Sequence, residues 1–400
     1  MDIVSAAPSS PVKTSAFAVG NFHAGDTRSD LSKQWISRPA DQRFLSLSSL
    51  RDSVAARAER SFEARLDIRR IEFIAPEPTT PDDLHRLSIG LPNGNEIAPT
   101  HWSFSQLAGL AQAPAGYLRK LPSQIAADAL QYGMRYNRPT EEIKAYASGD
   151  ELLAATGPDY GRIFDREVVE AVMQIAGNGA GDERWKVPGV LDWRTMLYDP
   201  EHPVTTDTTT LYASDRDVFV FLVDDRNPIE IGKLPSGDPD LMFRGFYITN
   251  SEVGSSALRL AAFYLRAVCC NRMMWGVEGF QEVTMRHSKY APSRFIEETR
   301  PALKSFADGS VKRLLDGVEK AKAAKVASDQ DEALSFLQQR KFTASRSRAV
   351  LEAVEREEGR PARTIWDFAT GITALARSEP NTDRRVELEL EARRILDRVA

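Results

Sequence analysis

One stretch, Phe243–Trp275, constrains the fold of this chain more than any other. Its first part, Phe243 to Thr249, is aromatic and β-branched and suits a strand. Asn250, Ser251, Gly254 and Ser255 then break the pattern and offer helix N-caps. From Ala257 the spacing turns helical: Leu258, Ala261, Ala262, Leu265 and Val268 recur at i, i+3, i+4, i+7. The spacing predicts a buried helix with Tyr264, Leu265 and Val268 inward and Arg259 and Arg266 on an opposite, polar face. Cys269, Cys270 and Asn271 end the run. A strand, a capped turn and a buried helix in so short a space mark the expected core.

The run Asn250-Ser251-Glu252-Val253-Gly254, followed by Arg266-Ala267-Val268-Cys269-Cys270-Asn271-Arg272-Met273, also carries a resemblance. With Ser37-Arg38-Pro39, Phe44-Leu45-Ser46-Leu47, Phe104 to Pro122, Ser214 to Phe221 and Arg286-His287-Ser288, it resembles the phage/plasmid-like protein family, also called domain of unknown function 932. The resemblance runs over roughly Trp35 to Phe295 and is specific as a family pattern. It implies no settled activity. What it implies about setting is the DNA metabolism of mobile elements.

Four hundred residues with 42% hydrophobic side chains can bury one large core or two ordinary ones. No apolar run is long enough for a transmembrane helix, and residues 1–33 lack the basic and apolar regions of a secretory signal. That segment, rich in Ala, Ser, Pro and Gly, is expected to be a flexible arm. The two cysteines are adjacent, suit a reducing cytoplasm and do not suit a bridge to each other.

In chain order, a helix follows Ser48 and Ser49, and Arg65 to Ile74 alternates as a strand with a slip, through Leu66, Ile68, Ile71 and Phe73. Hairpins are expected around Pro92-Asn93-Gly94-Asn95 and Ser148-Gly149-Asp150. Helices are expected at 103–112, 122–137 and 166–176, the second with Ile125, Ala129, Leu130 and Met134 on one face. Strands 208–213 and 218–223 flank Ser214-Asp215-Arg216-Asp217, and Asp224 to Pro228 is expected to end the second. From Ala291 the chain reads as helical, with breaks near Ser328, Ser345, Gly359 and Pro380 and an apolar face at Ile365, Trp366, Phe368, Ala369 and Ile372. The fold class is α+β, an antiparallel hairpin-rich sheet packed by helices and followed by an all-helical C-terminal region. The expected division is an arm (1–33), an α+β core domain (34–290) and a helical region (291–400).

Nothing in the motifs requires catalysis. The five histidines show no HExxH or zinc spacing, there is no Gly-x-Ser-x-Gly elbow, and Gly177 to Asp182 does not follow a strand as a phosphate loop must. Asp215, Asp217, Asp224 and Asp225 cluster at hairpin ends, where turn chemistry favours Asp and a metal site is the alternative. No cofactor is expected.

The net charge of −5 disfavours a general polyanion binder, but its distribution does not. Residues 286–348 hold fourteen Lys and Arg against eight Asp and Glu. In Arg286-His287-Ser288-Lys289-Tyr290, cations, an imidazole and an aromatic ring are adjacent, as single-strand binding needs. The expected nucleic-acid surface is Arg272, Arg286, His287, Lys289, Tyr290 and Arg294, continuing along Lys312, Arg313 and Lys320. Three classes stay open. The first is a cytoplasmic single-stranded-DNA-binding or annealing accessory, able to self-associate. The second is a metal-dependent enzyme built on the Asp215/Asp217 hairpin. The third is a structural or partner-binding protein.

Overall fold

A computed structural model describes residues 17–18, 40–77, 86–92, 94–137, 140–180, 184–188, 203–206, 209–234, 237–266, 272–273, 283–378 and 382–399, and structural statements refer to these. The chain divides into two compact units, residues 1–22 with 57–160 and residues 23–56 with 161–400. Both combine sheet with helices, the strand pairings being antiparallel except β6 with β8, which is parallel, and the chain closes in a helical region, as the α+β reading requires.

The first unit holds β1 (Phe17–Ala18), β3 (Ser61–Asp67), β4 (Glu72–Ile74), β5 (Arg86–Gly90), β6 (Glu96–Pro99), β7 (Glu142–Ser148) and β8 (Glu151–Thr156). They form one sheet in the order β1-β5-β6-β8-β7-β3, with β4 beside β5. Both expected hairpins form, β5 with β6 and β7 with β8. Phe17–Ala18, inside the expected arm, pairs with Arg86 and Leu87. The slip after Leu66 is a 3-10 turn at Ile68–Arg70, capped by the Asp67 carboxylate accepting from Arg69 N. Helices α2 (His101–Leu110), α3 (Ala115–Leu118) and α4 (Ser123–Tyr136) belong to this unit too. Phe104, Leu107, Leu130 and Met134 share one core with Ile143, Ala145 and Ala147 of β7. On α4 the inward face is Ala126, Ala127, Leu130 and Met134, whereas Ile125, expected inward, is 53% exposed.

The second unit holds β2 (Arg43–Phe44), β9 (Leu211–Ala213), β10 (Val218–Lys233), β11 (Pro239–Asn250), β12 (Leu258–Arg266), β13 (Arg272–Met273) and β14 (Val283–Met285). Their order is β13-β12-β11-β10-β9-β2, with β14 also on β12. Leu258–Arg266 is therefore a strand and not the expected helix. It pairs antiparallel with β11, Phe246 opposite Ala262 and Thr249 opposite Arg259. The physical reason is burial on both faces. Leu258, Leu260, Ala262 and Tyr264 enter one core, while Ala261, Phe263 and Leu265 enter another. An apolar run filled on both sides shows no alternation, and periodicity cannot separate it from a buried helix. Tyr264 and Leu265 are buried as expected, on opposite faces, while Arg266 is 2% exposed and not on a polar face. Val268, Cys269 and Cys270 lie outside the described residues.

A second correction concerns β10, which does not end at Asp224 but continues to Lys233. Its pairing passes from Asp224–Arg244 to Ile229–Met242, so extra residues bulge out between them. The Asp224 carboxylate accepts from Asn227 N and Nδ2 at 3.2 and 2.9 Å and from the Arg184 guanidinium, which stabilises the bulge. The local turn was legible there, and the resumption of the strand was not.

One face of this sheet packs under α1 (Leu47–Glu59), α5 (Asp165–Ala176) and the C-terminal helices α6 (Ala291–Asp308), α7 (Lys312–Ala323), α8 (Gln330–Gln338), α9 (Ala344–Glu358), α10 (Ile365–Ser378) and α11 (Thr382–Leu396). Trp185 stands edge-on to Phe246 at 4.9 Å between ring centres, and Trp366 is fully buried. The expected apolar face of α10 is inward, with Ile365, Trp366, Phe368, Ala369 and Ile372 all in the core. The other face carries an aromatic ladder: Phe221 stacks on Phe263 at 5.1 Å and Phe219 on Tyr247 at 6.0 Å. Among the described residues no helix is long and apolar enough to cross a membrane.

Candidate functional site

Three segments distant in sequence meet in a buried polar junction of the second unit. The first, Gly161 to Asp165, leads into α5. The second is the turn Asn250 to Ser255 between β11 and β12, and the third is the loop Arg286 to Tyr290 between β14 and α6. The turn owes its shape to Gly254, whose φ of +84° costs a residue without Cβ little, and to Gly254 N donating to Ser251 O at 3.0 Å. Ser251 Oγ donates to Arg216 O at 2.6 Å, while Ser255 N donates back to Ser251 Oγ at 2.9 Å.

Asn250, Glu252, Arg162 and Asp165 are all buried. Asn250 Nδ2 donates to Ile163 O at 2.9 Å and to Asp165 Oδ1 at 2.7 Å. Glu252 accepts Asp165 N at 3.0 Å, so a carboxylate sits at the N-terminus of α5, where the helix dipole favours it. The Arg162 guanidinium donates to Glu252 O. Burying such groups is tolerable only because they bond one another.

The loop is fastened to the same place. His287 O accepts Gly161 N at 3.2 Å, and His287 Nδ1 accepts Ile163 N at 3.4 Å. Gly161 has no room for a side chain, since a Cβ there would lie 1.9 Å from Ser288 O. Burial, with the Arg162 charge adding to it, pushes the His287 pKa down from its ordinary 6.5 to about 4. The imidazole is therefore neutral near pH 7 and acts as an acceptor.

Outside this junction the loop presents Arg286, Lys289 and Tyr290 to solvent. Tyr290 is 63% exposed, and Lys289 Nζ lies 5.1 Å from its ring centre. Arg294, one turn into α6, is exposed and clamped to Glu298 by bonds of 2.8 and 3.1 Å. Lys312, Arg313 and Lys320 are exposed on α7, beyond the far end of the 18-residue α6. At a rise of about 1.5 Å per residue that end is some 20 Å from Arg294. The structure thus groups Arg286, Lys289, Tyr290 and Arg294 and sets the α7 cations apart. Arg272 lies on β13.

The four carboxylates at the hairpin ends do not converge. Asp217 accepts from Ser214 Oγ at 2.7 Å, Asp224 pairs with Arg184, and Asp225 pairs with Lys186. Among the described residues no group of three or more His, Cys, Asp and Glu is disposed to hold a metal ion. Sequence reasoning missed the role of Arg162, Asp165 and Gly161, because their partners lie some 85 to 125 residues away. The Asn-Ser-Glu run was the signal present.

Residues 189–386 match the family described as Domain of unknown function (DUF932). The match begins and ends later than the stretch in which the sequence resemblance is read, and it takes in α6 to α10 and part of α11. No curated protein and no solved structure matches the chain.

Proposed function

We propose that this chain, which carries a domain of unknown function 932, binds single-stranded nucleic acid through the loop Arg286–Tyr290 and the start of α6. The observation that supports the reading is the exposed grouping of Arg286, Lys289 and Tyr290 on a loop that the buried junction holds in place. Arg286 and Lys289 supply phosphate contacts, and Tyr290 offers a stacking face worth about 1–3 kcal/mol per base. Here His287 anchors the loop instead of carrying charge. Arg294 contributes less, because Glu298 already holds it. Lys312, Arg313 and Lys320, exposed on α7, extend the basic surface for a longer strand. A role in phage or plasmid DNA metabolism within the cytoplasm, as an annealing or recombination accessory, would supply such strands.

The test is binding of labelled single- and double-stranded oligonucleotides at two salt concentrations. Single strands should bind better, and each neutralised phosphate should add about 0.7 to the negative log–log salt slope. Replacing Arg286 and Lys289 together by Ala should weaken binding with an unchanged melting temperature. Wild-type protein that binds neither strand at low salt sinks the proposal.

A further inference from the structure

Among the described residues the sheet of the first unit ends in an edge strand. Among the described residues β3 pairs with β7 alone and is the last strand of the order β1-β5-β6-β8-β7-β3. It is seven residues long, and Phe62, Glu63 and Arg65 are exposed. A strand edge of this length is a template for another strand.

The sequence of β3 says which strand. It reads Ser61-Phe62-Glu63-Ala64-Arg65-Leu66-Asp67. Opposite Ala147, Ala145 and Ile143 of β7, the residues Phe62, Ala64 and Leu66 lie on the apolar face. Glu63 and Arg65 lie on the other face, where they approach Lys144 and Glu142 of β7 at 3.6 and 3.7 Å. The order is complementary to its own reverse about Ala64. Laid antiparallel against a second copy with Ala64 on the dyad, Phe62 meets Leu66 of that copy on the apolar face. Glu63 meets its Arg65 on the polar face, and each of these pairs occurs twice.

No neighbouring register does as well. A shift of two residues one way sets Glu63 against Glu63, and a shift the other way sets Arg65 against Arg65. A shift of one residue turns apolar side chains onto the polar face. Phe62, 47% exposed in the single chain, is the large apolar side chain that this pairing covers. We infer that β3 is a homodimerisation edge, on which a second copy of this chain continues the sheet across a two-fold axis centred on Ala64.

The test uses the full chain. Light scattering across a concentration series should give a dimer for the wild type. Arg65→Glu places acidic residues opposite acidic residues at all four positions, so the mass should fall twofold. Reversing both charges, Glu63→Arg with Arg65→Glu, should restore the dimer. A second measurement guards against misfolding of these variants. Ala64→Cys should form an intermolecular disulfide under mild oxidation, because residues on the dyad face each other, and the wild type gives the control for the native cysteines. A monomeric wild type at the highest concentration, or a dimer that survives Arg65→Glu and gives no Ala64→Cys crosslink, overturns the inference.

Discussion

Arg266 and Asp240 form a buried two-bond ion pair, with Arg266 Nε and Nη2 donating to the two carboxylate oxygens at 2.8 and 2.7 Å. Both side chains are almost fully excluded from solvent. Arg266 also reaches Glu358 of α9 at 2.5 Å, and its guanidinium lies 5.6 Å from the Trp366 ring centre. The pair thus ties β11 and β12 to the C-terminal helices. Removing one partner strands a buried charge, so Arg266→Ala should destabilise by about 3–5 kcal/mol. Replacing Arg266 and Asp240 together by apolar residues should cost less than the two single changes summed. Urea unfolding of the four proteins measures that coupling, and additive losses would show that the pair does not act as a unit.

Glu252 and Asn250 should behave as structural groups. Asn250→Ala removes the amide that donates to Ile163 O and Asp165, at an expected cost of about 1–3 kcal/mol. Chemical denaturation should show the loss as a lower midpoint with an unchanged slope.

His287 gives a pH signature. Its folded pKa of about 4 lies below its ordinary 6.5, so between these values the unfolded chain takes up a proton that the folded chain does not. Stability from this residue is present above pH 6.5 and is lost as the pH falls through 4, by roughly 3 kcal/mol. The loss should be absent in His287→Gln. Parallel stability profiles for the two proteins from pH 7 to pH 4 would remove the assignment.

Gly161→Ala should be costly although its environment is not a strained turn. The added Cβ would meet Ser288 O, so either the 161–165 segment or the 286–290 loop must move. Overpacking of this kind typically costs about 1–3 kcal/mol. If binding runs through that loop, oligonucleotide affinity should fall as well, which a binding titration on the folded variant would read.

Leu265→Ala tests the second face of the β12 sheet. Leu265 is fully buried with Tyr212, Phe219, Phe221 and Phe263, and its truncation should cost about 2–5 kcal/mol. An unchanged melting temperature would show that this face is not a core.

What the sequence shows of this fold depends on how local the cause is. The hairpins at Gly94 and Gly149 and the helix breaks at Ser328 and Gly359 rest on turn and cap chemistry within a few residues, and they are where the sequence places them, whereas Ser345 lies inside α9. Periodicity reads the strand β12 as a helix because both its faces are filled, by Leu258 and Leu260 on one side and Ala261 and Phe263 on the other. The sequence does not show Arg266 as buried, because Asp240 and Glu358, 26 and 92 residues away, create its environment. The exposed part of the candidate site, Arg286, Lys289 and Tyr290, is contiguous and could be read directly. Its buried support could not, because it comes from residues around 162 and 250.

The junction behind that loop also bears on the order of folding. The bonds from Ile163 to His287, and from Asp165 to Glu252, close chain separations of 124 and 87 residues. Closing loops of that size costs entropy before any contact offsets it, so contacts of this range form late and slowly. The loop with Lys289 and Tyr290 is therefore oriented only in the finished fold. A nascent or partly folded chain carries the same cations without presenting them as a surface.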